Sequence, residues 1–202
     1  MSNPLRAVLA TKNRGKVAEI RAILHGLPVQ LVTLDDFPRI EAAAEDGLTF
    51  EENATKKAMR VWQTTRLTSI ADDSGLEVDA LEGAPGIFSA RFAGEQASYE
   101  ANNSKLLGLL RDVPAGMRTA RFVCVAALVT PAGEVTLERG TLEGVIADRP
   151  RGSAGFGYDP VFYLPCHGKT VAELGEEIKN AISHRAQAFA GIRRLLEELV
   201  RR

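Results

Sequence analysis

The chain has 202 residues, is 45% apolar, carries a formal charge of −1 at pH 7 and contains two cysteines. That is ample for one hydrophobic core, or for one domain folded as two lobes, and the near-neutral charge argues against broad nucleic-acid binding, which needs a clear basic excess. Cys124 and Cys166 lie far apart with no Cys-x-x-Cys or Cys/His spacing, which argues against a structural zinc site or a zinc base deaminase. No long apolar segment follows Met1-Ser2-Asn3-Pro4-Leu5-Arg6, so no leader or membrane span is expected and a cytoplasmic setting is the default.

In chain order, Leu5–Ala10 reads as a buried strand and Arg14–Leu24 as a helix with Val17, Ile20, Ile23 and Leu24 at helical spacing. Val29–Val32 is a second strand. Thr49-Phe50-Glu51-Glu52 is a capping box opening a helix whose stripe is Phe50, Ala54, Ala58, Val61 and Trp62. Ser69–Ala71 leads into Asp72-Asp73 and is expected to end in a tight turn at Ser74-Gly75, with Leu76–Val78 as a possible further strand. Ser98–Leu110 reads as a helix. Thr119–Thr130 and Glu134–Ile146, separated by Pro131-Ala132-Gly133, form an antiparallel hairpin. Tyr158–Leu164 is another strand, and Ser183–Arg201 a terminal helix with Ala186, Phe189, Ile192, Leu196 and Leu199 inward. No linker divides residues 1–202, so one α/β or α+β domain with a mixed sheet is expected.

Five segments carry chemistry. Side chains alternate along a strand, so Asp72 and Asp73 face opposite sides, one toward a site and one toward its support. A carboxylate at a strand end suits a hard cation, although Asp, Ser and Gly are also ordinary turn residues. Thr11-Lys12-Asn13-Arg14-Gly15-Lys16 puts three cations at a helix start. There they oppose the helix dipole unless an anion is present, so the turn is either a phosphate cradle or a solvated basic loop. It lacks the Walker A pattern. Lys57 shares a helix face with Asn53, either leaning over the core edge or snorkelling to water. In Gly152–Pro160, Phe156 between glycines is either a platform for a base or a tucked loop aromatic. Lys179, His184 and Arg185 cluster around the start of the last helix, and the guanidinium of Arg185 suits a keto or phosphate oxygen.

Taken in series, Thr11-x-Asn13-x-x-Lys16, Phe50-Glu51-Glu52-Asn53-Ala54, Ala71-Asp72-Asp73-Ser74-Gly75-Leu76, Gly83-Ala84-Pro85-Gly86-Ile87-Phe88-Ser89-Ala90-Arg91, Gly155-Phe156-Gly157-Tyr158-Asp159-Pro160 and Ser183-His184-Arg185 closely resemble the inosine/xanthosine triphosphate pyrophosphatases. The resemblance runs nearly end to end. It implies an elongated mixed β-sheet flanked by helices, with two lobes around a central cleft, a homodimer, and Mg2+-dependent cleavage of ITP, dITP and XTP to the monophosphate and pyrophosphate.

Carried over by position, the resemblance implies that Thr11, Lys12, Asn13, Arg14, Gly15 and Lys16 hold phosphates, and that Asp73 binds metal and accepts the proton. Ser74 touches substrate, Phe156, Gly157, Tyr158 and Asp159 line the nucleoside pocket, and Lys179, His184 and Arg185 read the purine edge. A metal-contacting Glu of bacterial members falls on Ala44 here, and the adjacent Glu45 is the substitute ligand.

The chemistry so implied is hydrolytic attack at the α-phosphorus, with Lys16 and Lys57 adding fixed positive charge. Arg185 and Lys179, which offer only donors, are expected to select a 6-keto purine over adenine. The rival readings are a pyrophosphatase with another base preference and a non-catalytic nucleotide-binding protein.

Overall fold

The computed structural model describes residues 4–41 and 43–201; Met1–Asn3 of the amino-terminal stretch read above lie outside the described residues. The strands are β1 (Leu5–Leu9), β2 (Val29–Thr33), β3 (Thr68–Val78), β4 (Thr119–Val129), β5 (Val135–Ile146), β6 (Phe162–Leu164) and β7 (Lys169–Thr170). The helices are α1 (Arg14–Ile23), α2 (Phe50–Thr65), α3 (Tyr99–Leu109), α4 (Glu176–Ile182) and α5 (His184–Arg201). The strands form one seven-stranded sheet in the order β2-β1-β3-β4-β5-β6-β7. β1 pairs in parallel with both β2 and β3, while β5–β6 and β6–β7 are antiparallel. The sheet is therefore mixed, as expected. β4 and β5 are neighbours joined by a turn closed by Thr130 N–H to the Glu134 carbonyl at 2.9 Å.

The chain packs as two compact units. The first comprises residues 1–73, 124–140 and 184–202. Here β1 is buried without alternation, Ala7, Val8 and Leu9 all at 0% exposure, as a parallel strand covered on both faces must be. Ile70 and Cys124 face Ile20 and Leu24 of α1 and Phe189, Ile192 and Leu196 of α5. On the opposite face, the Ser69 hydroxyl donates to the Ala58 carbonyl of α2 at 2.7 Å. Strand alternation then commits Asp72 to the α1/α5 side and Asp73 to the α2 side. The cap of α2 is as expected at Thr49, whose hydroxyl accepts from Glu52 N–H at 3.1 Å. Glu52 reaches back one residue further than a strict capping box, accepting from Leu48 N–H at 2.8 Å.

The second unit comprises residues 74–123 and 141–183, with its own core of Leu76, Val78, Leu106, Leu110, Phe122, Ile146, Val161, Phe162 and Leu164.

Two expectations are corrected. β3 does not stop at Ser74-Gly75 but runs unbroken to Val78, because Leu76 and Val78, both fully buried, have core partners that keep the strand extended. Tyr158–Leu164 is not one strand. Residues 157–161 turn, with Val161 N–H and Phe162 N–H both bonded to the Tyr158 carbonyl at 3.0 Å, and only Phe162–Leu164 pairs. Ser183 has extended backbone directly before the last helix, whose first turn holds His184 and Arg185, and it also ends α4, a short helix the sequence pattern did not show.

Candidate active site

In the first unit, the amino-terminal turn is prebuilt by its own side chains. Thr11 Oγ1 accepts from Asn13 N–H at 3.2 Å, and Asn13 Oδ1 accepts from Lys16 N–H at 3.1 Å, capping α1. That aims Lys16 at β3, where its Nζ lies 2.9 Å from Asp72 Oδ2. Arg185 donates to the same oxygen from Nη2 at 3.2 Å and from Nε at 3.4 Å, and its Nη1 donates to Glu19 Oε2. The Asp72 side chain is fully buried. Burial alone favours its neutral form, but Lys16 and Arg185 override that and hold the carboxyl well below the usual range. Burial likewise works against the Arg185 charge, and Asp72 reverses it, raising the guanidinium above its ordinary value. The buried Cys124 thiol beside them, 3.9 Å from Asp72 Oδ2, is pushed up to about 12 by burial and then by the Asp72 charge.

Asp73 has a different environment. Its Oδ1 lies 2.6 Å from Lys57 Nζ and its Oδ2 accepts from Asn53 Nδ2 at 3.2 Å. Asn53 is oriented by Gly47, whose N–H donates to Asn53 Oδ1 at 2.8 Å. That close approach needs glycine, since a Cβ at residue 47 would stand 2.6 Å from the same oxygen. The segment so anchored brings Glu45 Oε1 within 2.6 Å of Lys57 Nζ. Burial raises the Asp73 carboxyl above its ordinary 3.8, and Lys57 offsets only part of this. Lys57 is itself raised: burial opposes its charge, but Asp73 and Glu45 outweigh it. Two adjacent aspartates thus differ in kind: Lys16 and Arg185 favour the charged form of Asp72, whereas burial disfavours that of Asp73.

In the second unit, Asp159 is 3% exposed and organises a loop. Its Oδ2 accepts from Phe156 N–H at 2.9 Å and from the Lys179 ammonium. Lys179 Nζ also lies 4.6 Å from the centroid of the Phe156 ring. Gly155 has φ +78°, and a Cβ there would collide with the Asp159 carboxylate. Asn103 Nδ2 donates to the Gly157 carbonyl at 3.1 Å, the Tyr99 ring centroid lies 6.3 Å from that of Phe156, and the Tyr158 hydroxyl donates to the Ser89 carbonyl at 2.9 Å.

A sequence profile of the Ham1 family matches residues 7–195. The chain belongs to the Ham1 family. Among its relatives, a protein of Geobacter sulfurreducens named dITP/XTP pyrophosphatase is 56% identical over 185 residues, spanning 92% of this chain and 93% of the relative. A protein of the same name from Desulforamulus reducens is 49% identical over 195 residues, spanning 96% and 97%. The solved HAM1 protein of Coxiella burnetii superposes with a TM-score of 0.88 at 42% identity, covering 96% of this chain and 99% of that one. The Ham1 protein of Staphylococcus aureus gives 0.86 at 43% identity, covering 96% and 98%.

Within this Ham1 chain, the structure brings Lys16, Lys57, Asp72, Asp73 and Glu45 onto one stretch of the first unit. Lys12 and Arg14 instead line a cavity of about 300 Å³ with Thr11, Arg21, Thr33 and Asp35. Phe156, Gly157, Asp159 and Lys179 gather in the second unit. Arg185, expected to present its guanidinium to a purine, lies in the first unit, 1% exposed and engaged by Asp72 and Glu19; His184, 6% exposed, opens the same helix. Glu19, Asn103 and Tyr99 were not singled out from sequence. Glu19 alone had a readable signal, lying three residues after Lys16 on one face of α1.

Proposed function

We propose that the chain hydrolyses aberrant purine nucleoside triphosphates, ITP, dITP and XTP, to the monophosphate and pyrophosphate, with Mg2+ as its metal. The observation that carries the chemistry is the convergence of Asp73 and Glu45, each 2.6 Å from one cationic point. Two carboxylates and no sulfur or nitrogen ligand form a donor set for a hard cation, and Mg2+ characteristically takes one or two carboxylates and completes its shell with water and phosphate. Consistent with so sparse a set, the described residues contain no group of three or more His, Cys, Asp or Glu side chains that could hold a metal by themselves. Asp73 and Glu45 would hold the ion, which when bound supplies charge to phosphate oxygens and lowers the pKa of water.

The chain's own residues do the rest. Asp73, held by Asn53 and raised by burial, accepts the proton of the attacking water as its oxygen bonds to the α-phosphorus and the bond to pyrophosphate breaks. Lys16 and Lys57 supply fixed positive charge to the polyphosphate. Asp72 positions Lys16. In the second unit, Phe156 offers its ring to the purine. The buried Lys179, which has only donors, favours a keto oxygen over the amino group of adenine. The relatives named dITP/XTP pyrophosphatase support this choice of substrate. A cytoplasmic homodimer is part of the same proposal, and sedimentation checks the dimer. Among the described residues, no helix is long and apolar enough to cross a membrane.

Pyrophosphate release from ITP, dITP, XTP, GTP, ATP and dUTP at fixed Mg2+ tests the reading. Turnover should favour the first three, and Asp73→Asn should lower it at least ~100-fold. A flat panel, orthophosphate as the product, or an active Asp73→Asn enzyme refutes it.

A further inference from the structure

We infer that Lys57 is an exchangeable occupant of the metal position. Its ammonium holds Asp73 and Glu45 together in the metal-free protein, gives up both carboxylates to the divalent ion, and transfers to the phosphates of the substrate. This rests on the reading that Asp73 and Glu45 hold the metal.

Lys57 Nζ is bonded at 2.6 Å to Asp73 Oδ1 and at 2.6 Å to Glu45 Oε1, so one ammonium bridges the two carboxylates. Two ionised carboxylates at that range repel, and the ammonium between them offsets the repulsion. A divalent ion held by the same two carboxylates would compete with the ammonium for their charge, and the two cations would repel. The rest of the site allows an exchange. The four-carbon stem of lysine is flexible, and the hydrogen bond from its ammonium to the Asp72 carbonyl is long at 3.4 Å. Asp73 does not depend on Lys57 for its orientation, since Asn53 grips its other oxygen at 3.2 Å and is itself fixed by Gly47. The carboxylate therefore stays aimed when the ammonium leaves. A displaced Lys57 still sits on α2 one helical turn from Asn53, within reach of any polyanion that the ion at Asp73 holds.

An exchange of this kind predicts effects of opposite sign from one substitution. Lys57 competes with the metal in the absence of nucleotide and assists binding in its presence. Mn2+ binding to the full chain, followed by electron paramagnetic resonance without nucleotide, should tighten about 10-fold or more in Lys57→Met, which corresponds to about 1.4 kcal/mol. Binding of a non-hydrolysable inosine triphosphate analogue with Mg2+ should weaken about 10-fold in the same variant. Lys57→Gln serves as a second variant where Lys57→Met melts prematurely. In the wild-type protein, the Lys57 ammonium NMR signal should shift on adding Mg2+ alone. Unchanged or weaker Mn2+ binding in the folded variants, or an unmoved Lys57 signal at saturating Mg2+, overturns the exchange. Wild-type Mn2+ affinity in Asp73→Asn overturns instead the metal reading on which it stands.

Discussion

Replacing Arg185 by Met separates its observed place in the structure from the purine-reading role expected of a guanidinium at a helix start. The side chain is 2% exposed and makes three charge-assisted hydrogen bonds, two to Asp72 Oδ2 and one to Glu19 Oε2. Removing one partner of a buried charge pair typically costs 3–5 kcal/mol, because the other is left without its counter-ion. Lys16 still lies 2.9 Å from Asp72 and Glu19 retains some exposure, so the lower end applies, about 3 kcal/mol or a ~100-fold change in the folding equilibrium. For a chain of this size, that corresponds to roughly 6–12 °C in Tm.

The pH dependence carries a sign. Asp72 is depressed in the folded state, so its contribution is present above the ordinary carboxylate value of 3.8 and is lost as pH falls toward the folded value. The Arg185→Met deficit should therefore be full at pH 7 and narrow as pH drops below about 3.8. Thermal melts across pH measure this, and the ITP-to-ATP ratio of kcat/KM below the melting transition should stay within about 2-fold of wild type. Lys179→Met should instead collapse that ratio. A variant of normal stability with a collapsed ratio would refute the assignment of Arg185 to the interior network.

In metal-free protein, 13C NMR should find Asp73 titrating above 3.8, since burial outweighs Lys57 there, and Mg2+ should move it down. Because the folded value is raised, ionising Asp73 withdraws stability as pH rises through it. Gly47→Ala should displace the Asn53 amide, lowering turnover several-fold and stability by about 1–2 kcal/mol for the lost buried hydrogen bond; wild-type kinetics would contradict the proposed aiming of Asp73. A colorimetric thiol titration near pH 8 should count one fast cysteine in native protein, the exposed Cys166, and two after denaturation, because Cys124 is buried and pushed up to about 12.

Much of this was legible in the sequence wherever a local rule decides the outcome. The periodicity of α1 and α5, the Thr49 cap and the alternation of Asp72 and Asp73 are all local, and all are found. What the sequence hid depends on neighbours. Ser74 and Gly75 carry strong turn signals, yet the buried partners of Leu76 keep β3 extended. The electrostatic argument that a cation at a helix start needs an anion also holds for Arg185, but Asp72 and Glu19 provide the anions from within the chain. No spacing rule links residues 19, 72 and 185, so that triad waits on tertiary structure.

The pairing of β1 with β3, in which Ala7, Val8 and Leu9 match Thr68, Ser69 and Ile70, has a chemical consequence. A slip of one residue would turn the two acids around, sending Asp73 to the α1/α5 side beside Lys16 and Arg185 and Asp72 to the α2 side beside Lys57. Backbone alignment more than one hundred residues before α5 thus chooses which aspartate meets Lys57, and the apolar side chains of the first strand guard that choice although none of them carries a charge.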